Sequence, residues 1–337
     1  MHSYLQSRTG AALHALVWLL LTSCCAVLSG TATAQTATSP WPQRPIRLVV
    51  PFGAGSTADI LARALSASMG RDLGQALVIE NRPGAGGTLG AAEVARAQAD
   101  GYTLVLGTVA SHGTGVVMMA NVTFDPVRDF QAITLVTNAP SIIVVNRALP
   151  VTTLGQLIDH ARRSGGLNFS SAGSGTTTHL AGEQLAVLAG VRLTHVPYKA
   201  VGQAITDVVS GEIPLMIYQI PSLKPHVDSG SLRAIATTSG RRIDSMPNVP
   251  AVAEILHEDF DFNAWFGVLA PAGTARAIVE RLHRAILAAM DTAEVRRQMT
   301  LQGLEASGLG PDAFQAFVRS ELPKWRELVR RSGAVAQ

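Results

Sequence analysis

Residues 46–69 read IRLVVPFGAGSTADILARALSASM. A short apolar run, 46–52, ends in a glycine turn. The next segment then places Ile60, Leu61, Ala64, Leu65 and Met69 on one helical face. That order predicts a buried strand, a tight loop and a helix over 57–69. Gly53 and Gly55 let the backbone approach a ligand closely. The helix start offers unpaired N–H groups and the positive end of a helix dipole, which suit an anion. Ser56 or Thr57 can cap this helix, and Asp59 falls in its first turn, where a carboxylate is favoured.

Outward from this unit the rhythm repeats. Strands are predicted at 77–80 and 103–108 around a helix at 88–98. A second series follows, with strands at 142–146, 168–171, 194–197, 213–218 and 232–238 and helices at 154–163, 177–189 and 201–210. A last strand, 264–271, precedes only helices, from 274 to 331. Strands separated by such helices predict parallel βαβ units. The terminal helices suggest a return to the first half, so two α/β lobes are expected: 41–138 plus 257–337, and 139–256.

Four further turns at predicted strand ends share the small, hydroxyl-rich character of the first. They contain Gly86; Thr108, Ser111 and His112; Ala172, Gly173, Ser174, Thr176 and Thr177; and Tyr198, Lys199 and Ala200. Two lobes presenting such turns would form a cleft lined with N–H and O–H donors. A second reading of the first turn exists. Gly53-x-Gly55-x-x-Ala58 with Glu80 on the next strand matches a dinucleotide fingerprint, which would suit an oxidoreductase.

Composition narrows the classes. The chain has 337 residues, 47% apolar and 15% charged, which excludes a disordered chain and a coiled-coil rod. A formal charge of +3 with no Lys/Arg run gives no footprint for nucleic acid. Residues 11–28 are almost wholly apolar and are followed by Ala32-Thr33-Ala34 before Gln35, the pattern of a cleaved export signal spanning 1–34. Leu21-Thr22-Ser23-Cys24 also fits a lipoprotein site that would acylate Cys24. With Cys24 and Cys25 both in the signal, cleavage after Ala34 leaves no thiol for metal or catalysis.

Several stretches resemble one family along nearly the whole chain: WPQRPIRLVVPFGAGSTADILAR, VIENRPGAGGTLGA, DGYTLVLGT, SAGSGTTTHLAGE, HVPYKA, MPNVPAVAE and WFGVLAPAGT. They are similar to the Bug family, the extracytoplasmic receptors of tripartite tricarboxylate transporters. The resemblance implies a two-lobe Venus-flytrap α/β fold of the type II periplasmic binding class, hinged between the lobes. It implies a periplasmic, monomeric receptor without cofactor that serves the membrane subunits of a transporter. It also implies a small organic carboxylate held between Phe52, Gly53, Ala54, Gly55, Ser56, Thr57 and Asp59 on one side and Tyr198, Lys199 and Ala200 on the other. Gly86, Thr108, Ser111, His112 and the 172–177 turn would close the far side. Ala200 replaces the family's glycine, and Pro214 stands where an aspartate is common, leaving Gln219 as the next polar position. A two-lobe sensor for a membrane signalling partner shares this pattern.

Other chemistries find little support. His179 and Glu183 are spaced for a metal pair, but no third ligand is evident, so no metal is expected. No G-x-S-x-G elbow occurs, and no catalytic residue is expected. Trp265, Phe266 and Trp325 read as packing residues, and the C-terminal helix carrying Phe314, Phe317, Leu322, Trp325 and Leu328 reads as a docking helix.

Overall fold

The computed structural model describes residues 41–301 and 303–332, so the expected signal 1–34 and Cys24 lie outside the described residues. The elements below belong to the compact unit that begins at Pro42. The first half contains β1 (Ile46–Val50), α1 (Thr57–Leu73), β2 (Leu77–Asn81), α2 (Thr88–Ala95), β3 (Thr103–Thr108), α3 (Gly115–Met118) and β4 (Phe130–Ala139). Then come β5 (Ser141–Asn146), α4 (Leu154–Ser164), β6 (Leu167–Ser171), α5 (Thr177–Ala189), β7 (Leu193–Pro197), α6 (Val201–Ser210), β8 (Leu215–Gln219), α7 (Ile220–Asp228), β9 (Leu232–Thr237) and α8 (Val252–Leu256). The chain ends in β10 (Ala264–Pro271), α9 (Arg276–Met290), α10 (Ala293–Leu301), β11 (Glu305–Leu309) and α11 (Pro311–Ser332).

The strands form two sheets, ordered β11-β4-β10-β3-β1-β2 and β7-β6-β8-β5-β9. The parallel expectation holds for β1 with β2 and β3, and for β6 with β7 and β8. It fails elsewhere. β10 runs antiparallel to β3 and β4, β11 to β4, and β5 to both β8 and β9. The reason is the crossing: β4 passes into β5 through Pro140 alone, so one extended run serves both sheets. The chain returns through 257–263, where buried Phe260 and Phe262 anchor it and the Phe262 N–H donates to the Thr238 carbonyl at 2.9 Å.

Every position of β5, β8 and β10 is buried, as expected for strands covered on both faces. Leu61, Leu65 and Met69 of α1 lie in the core as their spacing predicts. α9 packs on α1 and β4. α11 packs on β4, on the turn after β3 and on α5 of the other sheet, so it touches both halves. Both Trp265 and Trp325 are buried, and each indole N–H donates to one oxygen of the buried Glu321, at 2.9 and 2.7 Å.

Candidate functional site

Ser56 takes the cap position of α1 with extended backbone, and its Oγ accepts from the Asp59 N–H at 3.3 Å. Gly55 sits at φ +77°, a conformation that favours glycine, and its N–H donates to Asp59 Oδ2 at 3.0 Å. Asp59 is buried and also binds Arg63 Nε at 3.0 Å and Asn81 Nδ2 at 3.1 Å. Burial alone would raise its pKa, but these donors more than offset that and hold it below the ordinary value. Asp59 therefore braces the loop from within.

The second sheet mirrors this arrangement. Thr176 caps α5; its Oγ1 accepts from the His179 N–H at 3.3 Å and donates to the Gly173 carbonyl at 2.8 Å. After β3 the chain makes a wider π-type turn, Ala110–Thr114, pinned by Thr108 Oγ1, which accepts from Ala110 N–H at 3.2 Å and Ser111 N–H at 3.3 Å. This turn reaches across to the other sheet, where Thr114 Oγ1 donates to the Gly175 carbonyl at 2.5 Å. Ser222 of α7 makes a second crossing, donating to the Gly55 carbonyl at 3.1 Å with Thr57 Oγ1 3.5 Å away.

Between these loops lie two chambers. The inner one is narrow, with about 20 Å³ of free space, and is walled by Phe52, Ala58, Thr108, Val109, Ala110, Ala172, Thr176, Thr177, Thr178, Tyr218, Gln219, Ala264 and Phe266. No charged side chain lines it. Ala58 brings in the start of α1, and Thr177 and Thr178 the start of α5, so two positive helix ends enter from opposite sheets. The outer chamber, about 320 Å³, is lined by Pro83–Gly87, Met119, Gly173, Ser174 and Pro197–Lys199. Phe52 and Ala172 belong to both walls and form the neck.

Of the residues singled out by sequence, the structure brings Phe52, Thr108, Ala172, Thr176, Thr177 and Gln219 to the inner wall. Gly86, Gly173, Ser174, Tyr198 and Lys199 line the outer one. The others line neither chamber. Gly53, Ala54, Gly55, Ser56, Thr57 and Asp59 build the loop and its crossing bonds, and Ala200 caps α6. Ser111 Oγ accepts from the Thr108 N–H at 3.0 Å and pairs with His112 Nδ1 at 2.8 Å. His112 itself is a core residue, edge-on to Phe130 with ring centroids 4.6 Å apart. Sequence reasoning missed Tyr218, whose signal was its place at the end of an apolar strand. It also missed Phe266, which reads as an ordinary core aromatic.

The dinucleotide reading does not fit this geometry. Glu80, which a ribose would need, is engaged by Arg47 and Arg82, each at 3.2 Å. His179 and Glu183 do meet, at 3.5 Å, but among the described residues no three metal-ligating side chains converge.

Burial pushes His112 down to about 3, and burial together with the neighbouring His179 does the same to His195. Both stay neutral in the fold but protonate when it opens. Their contribution is therefore complete above about pH 6.5 and is lost as pH falls towards 3. Urea titrations should show roughly 2–4 kcal/mol less stability at about pH 5 than at about pH 8. A flat profile over that range would contradict the burial of these rings.

The family described as the tripartite tricarboxylate transporter family receptor matches residues 61–334. BugT of Bordetella pertussis is 33% identical over 303 residues, covering 89% of this chain and 93% of BugT. An R. palustris protein solved with adipate superposes with a TM-score of 0.85 at 32% identity, covering 88% of this chain and 100% of that one. MatC from Rhodopseudomonas palustris, solved with bound malate, superposes with a TM-score of 0.81 at 32% identity, over 86% of this chain and 100% of MatC.

Proposed function

This chain belongs to the tripartite tricarboxylate transporter receptor family, and we propose that it captures a small organic carboxylate in the cleft between its two sheets. The observation that carries this reading is the inner chamber, free of charged side chains and entered by two helix N-termini from opposite sides. Oriented N–H groups and hydroxyls there stabilise a carboxylate without a buried cation. A second charged or polar end would pass the Phe52–Ala172 neck into the outer chamber, where Lys199 is the one cation in the wall.

The mechanism is binding, not chemistry. In this reading, residues 41–138 with 257–337 and residues 139–256 move as two bodies about Pro140 and the 257–263 return. The ligand touches both and favours the closed form by its differential affinity. The Thr114 and Ser222 crossing bonds then add to closure. The receptor works in the periplasm as a monomer and delivers its ligand to the membrane subunits of a tripartite transporter. Mass spectrometry of the mature protein should find a chain starting at Gln35; an acylated Cys24 would instead assign a tethered receptor.

The binding test is calorimetry on protein unfolded, washed and refolded to strip endogenous ligand. Malate, adipate, succinate, citrate and benzoate form the panel. At least one should bind at a single site with a dissociation constant of about 10 μM or tighter, worth about 7 kcal/mol. Absence of saturable heat with all of them up to millimolar concentration would overturn the proposal.

A further inference from the structure

We propose that the outer chamber holds a hydrocarbon body of the ligand, so that the receptor prefers a carboxylate on an extended apolar frame to a short hydroxylated one, and that Met119 sets the length of frame it accepts. The proposal rests on the carboxylate reading of the cleft and narrows it. The inner chamber, with about 20 Å³ free, has room for one small polar group and none for a frame. Whatever is joined to the anchored carboxylate must therefore pass the Phe52–Ala172 neck into the 320 Å³ beyond it.

The outer wall gives that frame little to hydrogen-bond with. Phe52, Tyr198 and Met119 present two rings and a thioether, and Pro83 and Pro197 have no N–H to donate. Other polar groups of the wall are engaged within the chain. The Tyr198 hydroxyl donates to Asp207 Oδ2 at 2.5 Å. The Phe52 carbonyl accepts from Asn81 Nδ2 at 2.9 Å, the Ala85 carbonyl from Thr88 Oγ1 at 2.8 Å and the Gly173 carbonyl from Thr176 Oγ1 at 2.8 Å. The Gly173 N–H donates to Ser171 Oγ at 3.1 Å. Ser174 and Lys199 are the wall's other polar side chains, and among the described residues no carboxylate lines it. A hydroxyl or carboxylate in the middle of a ligand would leave water here without recovering its hydrogen bonds, whereas methylene groups gain by burial. A second carboxylate is accommodated at the far end of a long frame, beside the exposed Lys199.

Met119 follows α3 in the first half of the chain and is half-buried. Its Cε approaches loops of both sheets. A Cβ built on Gly86 would lie 3.7 Å from it, and one built on Gly175 would lie 2.9 Å from it. Both glycines hold positive φ, +63° and +78°, so residue 119 supplies the bulk between the two loops. An unbranched thioether fills such a gap and adapts to what it meets.

The test is calorimetry on the mature protein, stripped as above, with succinate, adipate, suberate, malate and citrate. Adipate buries two more methylene groups than succinate and should bind at least about tenfold more tightly, with malate and citrate no better than succinate. The heat-capacity change of binding should grow more negative with frame length. Met119→Ala lengthens the space and should improve suberate binding by about tenfold. Met119→Phe shortens it and should weaken adipate and suberate by about tenfold while succinate stays within about threefold. Circular dichroism melts check that each variant is folded. Malate or citrate binding at least as tightly as adipate would overturn the proposal and leave the carboxylate reading standing, as would an unchanged length profile in the folded variants. No saturable heat with any of the five would remove that reading and the proposal with it.

Discussion

Leucine in place of Glu321 should lower unfolding stability by about 3–5 kcal/mol, one of the largest losses expected from a single side chain here. One carboxylate oxygen accepts from both Trp265 and Trp325, and all three residues are buried. Leucine leaves two indole N–H groups dry and unpaired, at about 1–3 kcal/mol each. Relief from burying a carboxylate works the other way. However, that relief is small when the partners stay behind, because removing one side of a buried polar cluster costs more than removing all of it. Glu321→Gln keeps an acceptor and should cost about 1 kcal/mol. Urea unfolding followed by tryptophan emission reads both variants. A Glu321→Leu protein within about 1 kcal/mol of wild type would show that the indoles do not depend on this acceptor.

The second large effect concerns closure. Gly86 holds φ +63°, and a Cβ built there would lie 3.0 Å from the Ser174 carbonyl of the opposite sheet. Valine adds a branched side chain at positive φ, a local strain of about 1–2 kcal/mol, and blocks the approach of the two loops. The steric cost falls on the closed form, so affinity should drop by about 100-fold while stability falls only by the local strain. Gly86→Ala should lie between, near tenfold. Gly202→Ala is the control: its Cβ meets nothing within 4 Å, and it should bind like wild type. Wild-type affinity in Gly86→Val would mean that the ligand does not require these loops to meet.

The sequence made the site's framework readable because the same physics repeats in each loop. A strand ends, small residues turn the chain and a capped helix begins, as at 51–59 and 171–178. What it hid has physical reasons. β11 reads Glu-Ala-Ser-Gly-Leu, an exposed edge strand with a register shift and no apolar pattern to mark it. β4, Phe130–Ala139, feeds the crossing at Pro140, and with no helix between it and β5 nothing in the strand–helix rhythm marks it. Without that crossing, the antiparallel pairings of β5 and β10 cannot be deduced. His112 and Asp59 looked like cleft residues by position. Only packing distinguishes a polar side chain that meets ligand from one that shapes the backbone behind it. Tyr218 and Phe266 posed the reverse problem, since an aromatic at the end of a buried strand carries the same pattern whether it fills a core or walls a chamber.

A crystal structure of the protein with whichever carboxylate of the panel binds most tightly should show one carboxylate of that ligand in the inner chamber, between Phe52 and Tyr218, accepting hydrogen bonds from the starts of α1 and α5 directly or through water. A ligand found outside the cleft, or one held by surface arginines with both helix ends left untouched, would contradict it.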